Sequence, residues 1–172
     1  AEGVETAIKA VRRWGYKSKK IPPNKAEIIV ADQNFHGRTT TIISFSSDKE
    51  SKENFGPLTP GFKTVKFGCI DSLQSAITEN TAAFLVEPIQ GEAGIVIPDP
   101  SWLPKARELC TENNVLLILD EVQSGLGRTG KMFAYEHSSI RPDGLILGKA
   151  LGGGLLPVSC FLSSKEVMQW FV

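Results

Sequence analysis

Three stretches constrain this chain more than any others: AAFLVEP (82–88), VLLILDE (115–121) and DGLILGKAL (143–151). Each is an unbroken apolar run of strand length, and each meets an ionisable residue at its end: Glu87, Asp120 and Lys149. A strand with one wet face alternates apolar and polar residues. An unbroken run is expected where both faces of a sheet are covered. EIIVAD (27–32), KTVKFG (63–68) and VSCFLS (158–163) read as further strands. Between them lie helical patterns. Gly3–Tyr16 places Val4, Ala7, Ile8 and Val11 on one face. Ile70–Asn80 has Asp71 as its expected N-cap, and Trp102–Asn113 follows. Thr39–Ser46 fits either a strand or a helix, Asp48–Gly61 reads as a polar surface excursion, and MFAYEH (132–137) as a short helix. Strands alternating with helices predict an α/β fold, a mostly parallel sheet with helices on both faces. No repeat, low-complexity tract or internal domain boundary interrupts the pattern.

Composition narrows the partners. The 172 residues carry 19 basic and 19 acidic side chains, so net charge gives no reason to expect nucleic acid or an anionic membrane. No apolar run approaches a membrane span, and a soluble segment is the expectation. Cys69, Cys110 and Cys160 are far apart and odd in number, which argues against a disulfide framework or zinc site and for reduced, mostly buried thiols in an intracellular protein. With His36 and His137 the only histidines, no metal site is expected. The chain starts without Met and stops without a tail, and it reads as a piece of a longer protein.

In open α/β sheets, ligands bind beyond the carboxyl ends of the strands. Glu87, Asp120 and Lys149 sit there, and the loop NFHGRT (34–39) adds Phe35, His36 and Arg38. The stretch LLILDEVQSGLGRTGK (116–131) admits three chemistries. As a Walker B strand it would need an upstream phosphate loop. GLILGKA (144–150) is one residue short, has Ala at the hydroxyl position and lies downstream, so a nucleotide-binding ATPase is a distant alternative. As a dinucleotide fingerprint, Gly125, Gly127 and Gly130 lie too far from the strand end, with Arg128-Thr129 among them. As a buried aspartate, Asp120 needs a cation. Lys149 is one candidate. The other is the protonated ring nitrogen of a bound pyridoxal phosphate whose Schiff-base residue would be Lys149.

The stretches NFHGRT, VEPIQGEAG, LCTENNVLLILDEVQSGLGRTG and RPDGLILGKALGGG run through the chain in this order. With them the sequence resembles the class III, fold-type I pyridoxal-phosphate aminotransferases. GVETAIKAVRRWGY and FGPLTPGF direct the resemblance to the ornithine-specific branch of that class.

The resemblance implies a role for each matching residue. Lys149 carries the cofactor aldehyde and shuttles the proton. Asp120 pairs with the ring nitrogen and Gln123 with the ring oxygen, while Val122 and Phe35 cover the two ring faces. Ala1 and Glu2 belong to the turn that holds the phosphate at a helix N-terminus. Arg38 grips a substrate carboxylate. Glu92 pairs with an arginine of a C-terminal domain and releases it for 2-oxoglutarate. Glu87 supports the site from behind, His36 is a wall of the cleft rather than a catalyst, Arg128 and Thr129 serve the turn, and Gly152–Gly154 allow close backbone approach.

The implied reaction moves the δ-amino group of L-ornithine to 2-oxoglutarate, giving glutamate-5-semialdehyde and glutamate. Acetylornithine or 4-aminobutyrate is the alternative donor. The implied protein is a homodimer in the cytoplasm or mitochondrial matrix. Residues 1–172 would be part of its large, cofactor-binding domain, with an N-terminal segment and a C-terminal small domain outside this sequence.

Overall fold

The structure, a computed structural model, describes residues 1–171. Helix α1 (Glu2–Lys17) leads into β1 (Glu27–Ala31), a single turn α2 (Thr40–Ile43) and β2 (Phe62–Val65). Helix α3 (Ile70–Ala76), β3 (Thr81–Val86), α4 (Trp102–Glu112) and β4 (Leu116–Asp120) follow. A 3-10 turn at Ala134–Ser138 precedes β5 (Gly144–Leu147). Another at Lys149–Gly152 precedes β6 (Cys160–Ser163) and the short α5 (Lys165–Met168).

The strands form one sheet in the order β2-β1-β3-β4-β5-β6. All pairings are parallel except that of β5 with β6. This is the expected α/β, mostly parallel architecture. Its strands show why their sequences are unbroken apolar runs. Ile28, Val30, Leu116 and Ile118 face one core with Val4, Ile8, Val11 and Trp14 of α1. The alternate residues Ile29, Ala31, Leu117 and Leu119 face a second core with Trp102, Leu103, Ala106 and Cys110 of α4. Both faces are buried, so neither register position tolerates a polar side chain.

Helix α1 holds its place by amphipathicity and by end charges. Glu2 and Glu5 lie in its first turn and Lys17 in its last, each matching the sign the helix dipole favours. Gly3 lets the N-terminus press against β6: a Cβ there would lie 2.9 Å from the carbonyl oxygen of Cys160.

Several local expectations are corrected. Within Thr39–Ser46, left open between strand and helix, Thr40–Ile43 forms helix α2, which the Thr39 hydroxyl caps by accepting from the Ile42 amide. Asp71 is not an N-cap; Cys69 holds that position and Asp71 lies in the first turn, where its charge still favours the dipole. Of the three thiols only Cys110 is buried, while Cys69 and Cys160 are partly exposed; all are free. Gly153 and Gly154 have φ of +60° and +77° with open space where a Cβ would be, so they serve turn conformation and not close approach. Among the described residues no helix is long and apolar enough to cross a membrane. No cluster of metal-ligating side chains is found among them either.

Candidate active site

The strand order reverses between β1 and β3, because β2 lies on one side of β1 and β3 to β5 on the other. A crevice opens at the carboxyl ends of such neighbours. It is occupied here by the loop after β1, which carries Phe35 and His36, and by Glu87 just past β3. A cavity of about 110 Å³ lies at this point. Its walls include Ala1, Phe35, His36, Glu87, Asp120, Val122, Gln123 and Lys149. All eight were singled out from the sequence; arriving at the N-cap of α1 and on four different loops or strand ends, they meet around one space.

Asp120 has a partner that sequence reasoning missed. Its Oδ2 lies 2.7 Å from Nδ1 of His36, with both side chains shielded from solvent. Its Oδ1 accepts the Val122 amide at 3.0 Å. Lys149, one of the two partners expected for Asp120, does not bond it. His36 is therefore more than a cleft wall. An ionised carboxylate only accepts, so Nδ1–H of the imidazole donates. Burial works against the charged imidazole, but the hydrogen bond and charge of Asp120, with Glu87 nearby, outweigh it and raise its pKa above the ordinary 6.5. The one signal in the sequence was the cost of a buried aspartate, together with a histidine in the loop beside the same crevice.

Glu87 is pushed up to about 7, chiefly by burial. The charge of His36 and the amides of Phe35 and Gly91 oppose the rise, and the charge of Asp120 adds to it. Its Oε2 accepts the Phe35 amide at 3.1 Å.

Lys149 stands at the exposed mouth. Its ammonium donates to Gln123 Oε1 and lies 3.6 Å from Glu92 Oε1. Its backbone has φ of +42°, a left-handed conformation rare for a residue with a Cβ and found disproportionately at functional sites. Gly91 leaves room for Gln123, since a Cβ on Gly91 would overlap the Gln123 amide.

Arg38 and Glu92 line a second, more open cleft that shares Phe35, His36 and Gly37 with the first. The Arg38 guanidinium sits 5.4 Å from the centre of the Phe35 ring, so Phe35 separates the two spaces. Glu2 lies on the surface near the Ala1 amine and lines neither. Arg128 and Thr129 lie in the turn expected for them, and Thr129 contacts His137 Nε2 at 3.1 Å.

The phosphate-loop readings of the glycine-rich stretch fail on geometry. Residues 121–133 form turns that lead into no α-helix, so no helix N-terminus faces a phosphate there. Glu121, the second residue of the Asp-Glu pair, is buried and accepts the amides of Ala134 at 2.7 Å and Tyr135 at 3.0 Å. It pins the chain's return. A larger open groove of about 880 Å³ lies at the opposite ends of β4 and β5, lined by Arg107 and Asp143 among others, and holds none of the convergent residues.

The sequence pattern of the class-III aminotransferases matches residues 1–172. The ornithine aminotransferase of Brevibacillus brevis is 58% identical over 171 residues, covering 99% of this chain and 43% of that protein. The chain thus spans about two fifths of the length of the curated relatives it matches. A structure of the ornithine aminotransferase from Toxoplasma gondii, with PLP partially occupying its active site, superposes with a TM-score of 0.98. It is 44% identical, with 99% of this chain and 41% of that one covered. The acetylornithine aminotransferase from Elizabethkingia anophelis superposes with a TM-score of 0.82 at 50% identity, covering 98% and 41%.

Proposed function

Since the chain belongs to the class-III aminotransferase family, we propose that it forms the cofactor-binding part of a pyridoxal-phosphate-dependent ornithine aminotransferase. The full protein would move the δ-amino group of L-ornithine to 2-oxoglutarate and release glutamate-5-semialdehyde and glutamate. One observation carries this reading. Asp120, Val122, Gln123, Phe35 and Lys149 meet around one cavity with the start of α1 at its edge.

That set of groups fits the cofactor. A buried carboxylate suits a protonated ring nitrogen, Val122 and Phe35 offer apolar faces to an aromatic ring, and Lys149 supplies the amine. The first turn of a 16-residue helix directs its positive end toward a phosphate, with the Gly3 amide already given to Ser159 Oγ at 2.9 Å. Bound pyridoxal phosphate would supply an electron sink and an aldehyde to carry the amino group.

The residues of the chain do the rest. Asp120 would pair with the ring nitrogen of the bound cofactor. His36 bonds Asp120 and fixes its orientation. Lys149 has a flexible stem and an exposed head, which suits proton delivery and removal at the substrate carbon. Gln123 accepts from the Lys149 ammonium and would face the ring oxygen. Phe35 and Val122 keep water from the ring. Arg38 offers a planar fork to a carboxylate in the outer cleft. Glu92, beside both Lys149 and that cleft, suits the handling of the second substrate.

A homodimer is supported by the exposed apolar side chains Ile95, Ile97, Leu151, Leu155 and Leu156. A cytoplasmic location is supported by the bacterial sources of the curated relatives, which favour it over the mitochondrial matrix. The names of the relatives support ornithine as donor. Assays of the full-length protein with ornithine, acetylornithine and 4-aminobutyrate against 2-oxoglutarate test the assignment. Preferred turnover of ornithine is expected, and preferred turnover of acetylornithine would overturn the choice of donor.

A further inference from the structure

Phe35 divides the two spaces of the site, yet its own side chain is 37% exposed. Packing alone therefore does not hold its ring in place. The loop that carries it, residues 32–39, has no regular structure and depends on individual hydrogen bonds. Asn34 ties the loop to itself, donating to the carbonyls of Ala31 at 2.6 Å and Phe45 at 3.2 Å. Two further ties come from one short segment, Glu87-Pro88-Ile89-Gln90. Glu87 Oε2 accepts the Phe35 amide at 3.1 Å, and Gln90 Nε2 donates to the Asp32 carbonyl at 2.7 Å.

That segment is built as a fixed strap. Pro88 restricts the backbone between the two ties. Gln90 exchanges both of its backbone hydrogen bonds with Val96, at 3.1 and 2.8 Å, so its side chain starts from a locked position. Glu87 and Gln90 are 7% and 1% exposed. Burying such groups is unfavourable unless they are hydrogen-bonded, and an apolar pair would fill the same space more cheaply. What the polar pair adds is direction.

We propose that Glu87 and Gln90 are positioning residues that clasp the Phe35 loop against the cavity and so set where the Phe35 ring meets the cofactor. The consequence for the cofactor rests on the function proposed above; the clasp does not. Ionisation of Glu87 controls its tie to the Phe35 amide, because a carboxylate accepts an amide more strongly than a neutral acid does. His36, Asp120 and Lys149 are the charged groups that share the cavity with Glu87, and the Phe35 and Gly91 amides face it directly. With Glu87 held at about 7, the clasp loosens as pH falls through neutrality.

The test uses the full-length protein in two arms. In the cofactor-free protein, amide hydrogen exchange at Phe35 is compared among wild type, Glu87→Gln and Gln90→Met; the latter keeps a similar volume but has no donor. Exchange about tenfold faster in both variants is expected, roughly the effect of losing one strong hydrogen bond. Wild-type protection, corrected for intrinsic rates, should decline below about pH 7, and that decline should vanish in Glu87→Gln. Wild-type protection in both variants would overturn the clasp. In the second arm, pyridoxal phosphate is added and the circular dichroism of its visible band is recorded. An altered band in both variants is expected, and an unchanged band would overturn the positioning role. If wild type itself shows no band, the proposed function fails while the exchange arm still decides the clasp.

Discussion

His36 Nδ1 lies 2.7 Å from Asp120 Oδ2, and the pair is sealed from solvent at the floor of the cavity. This contact joins residues 84 positions apart and fixes the orientation of the group proposed to face the cofactor. Removing the imidazole leaves a buried carboxylate without its partner, a loss of about 3–5 kcal/mol by the usual cost of breaking such a pair. His36→Asn should therefore lower stability in urea unfolding of the full-length protein. The difference depends on pH. Because the folded-state pKa of His36 is raised above 6.5, the stabilisation is complete below 6.5 and fades as pH rises through the folded value. The gap between wild type and variant should narrow in alkaline buffer; a gap that widens there would contradict the pairing.

Glu87 gives an opposite result for its variant. Its pKa is raised from 4.5 to about 7, so the folded state holds this proton more tightly than the unfolded chain. Its contribution to stability is largest below pH 4.5 and is lost as pH rises through about 7. Glu87→Gln mimics the protonated acid. It should be more stable than wild type at pH 8, with the advantage shrinking toward pH 4.5. Denaturant midpoints measured across that range check this. Global stabilisation alongside a loosened Phe35 loop would separate the residue's positioning role from its cost to the fold.

Gly91→Ala tests the place of Gln123. A Cβ at Gly91 would occupy the position of the Gln123 amide, and that amide is the far end of a flexible side chain. The side chain should swing away at little cost to stability, within about 1 kcal/mol. It would no longer contact Lys149. Weaker pyridoxal-phosphate binding at a nearly unchanged melting temperature is expected, as measured by titration and thermal unfolding of the same sample.

Gly144→Ala tests the packing of β5. The added methyl would lie 2.6 Å from the Phe161 ring and 2.7 Å from Ile118 Cδ1, both in the core under α1. Overpacking of this kind costs about 1–3 kcal/mol. The loss should appear in denaturant unfolding, and Gly144→Ala with Ile118→Val should recover part of it.

The sheet could be read from the sequence because its chemistry is local. Runs such as Leu116–Leu119 are apolar at every position only if both faces are covered, and the structure covers them with α1 and α4. The grouping of Asp120, Val122 and Gln123 followed from the resemblance to the class-III aminotransferases, and the structure brings all three to the wall of one cavity. What depended on distant chain was not legible. The bond of His36 to Asp120 and the reach of Gln90 to Asp32 span 84 and 58 positions, and nothing in the pattern of either segment announces them. The antiparallel course of β6 is set by the return through Gly153 and Gly154, whose left-handed backbone the sequence permits but does not require. The N-cap differs for a smaller reason: the helix begins two positions earlier than Asp71, on Cys69, a residue without a side-chain cap bond.

The central claim is that Lys149 holds pyridoxal phosphate. Borohydride reduction of the full-length holoprotein, followed by peptide mass spectrometry, measures this directly. A pyridoxyl group on Lys149 is predicted, with the visible absorbance lost on reduction and absent from Lys149→Ala. An unmodified Lys149, or a pyridoxyl group on another lysine, would contradict the account.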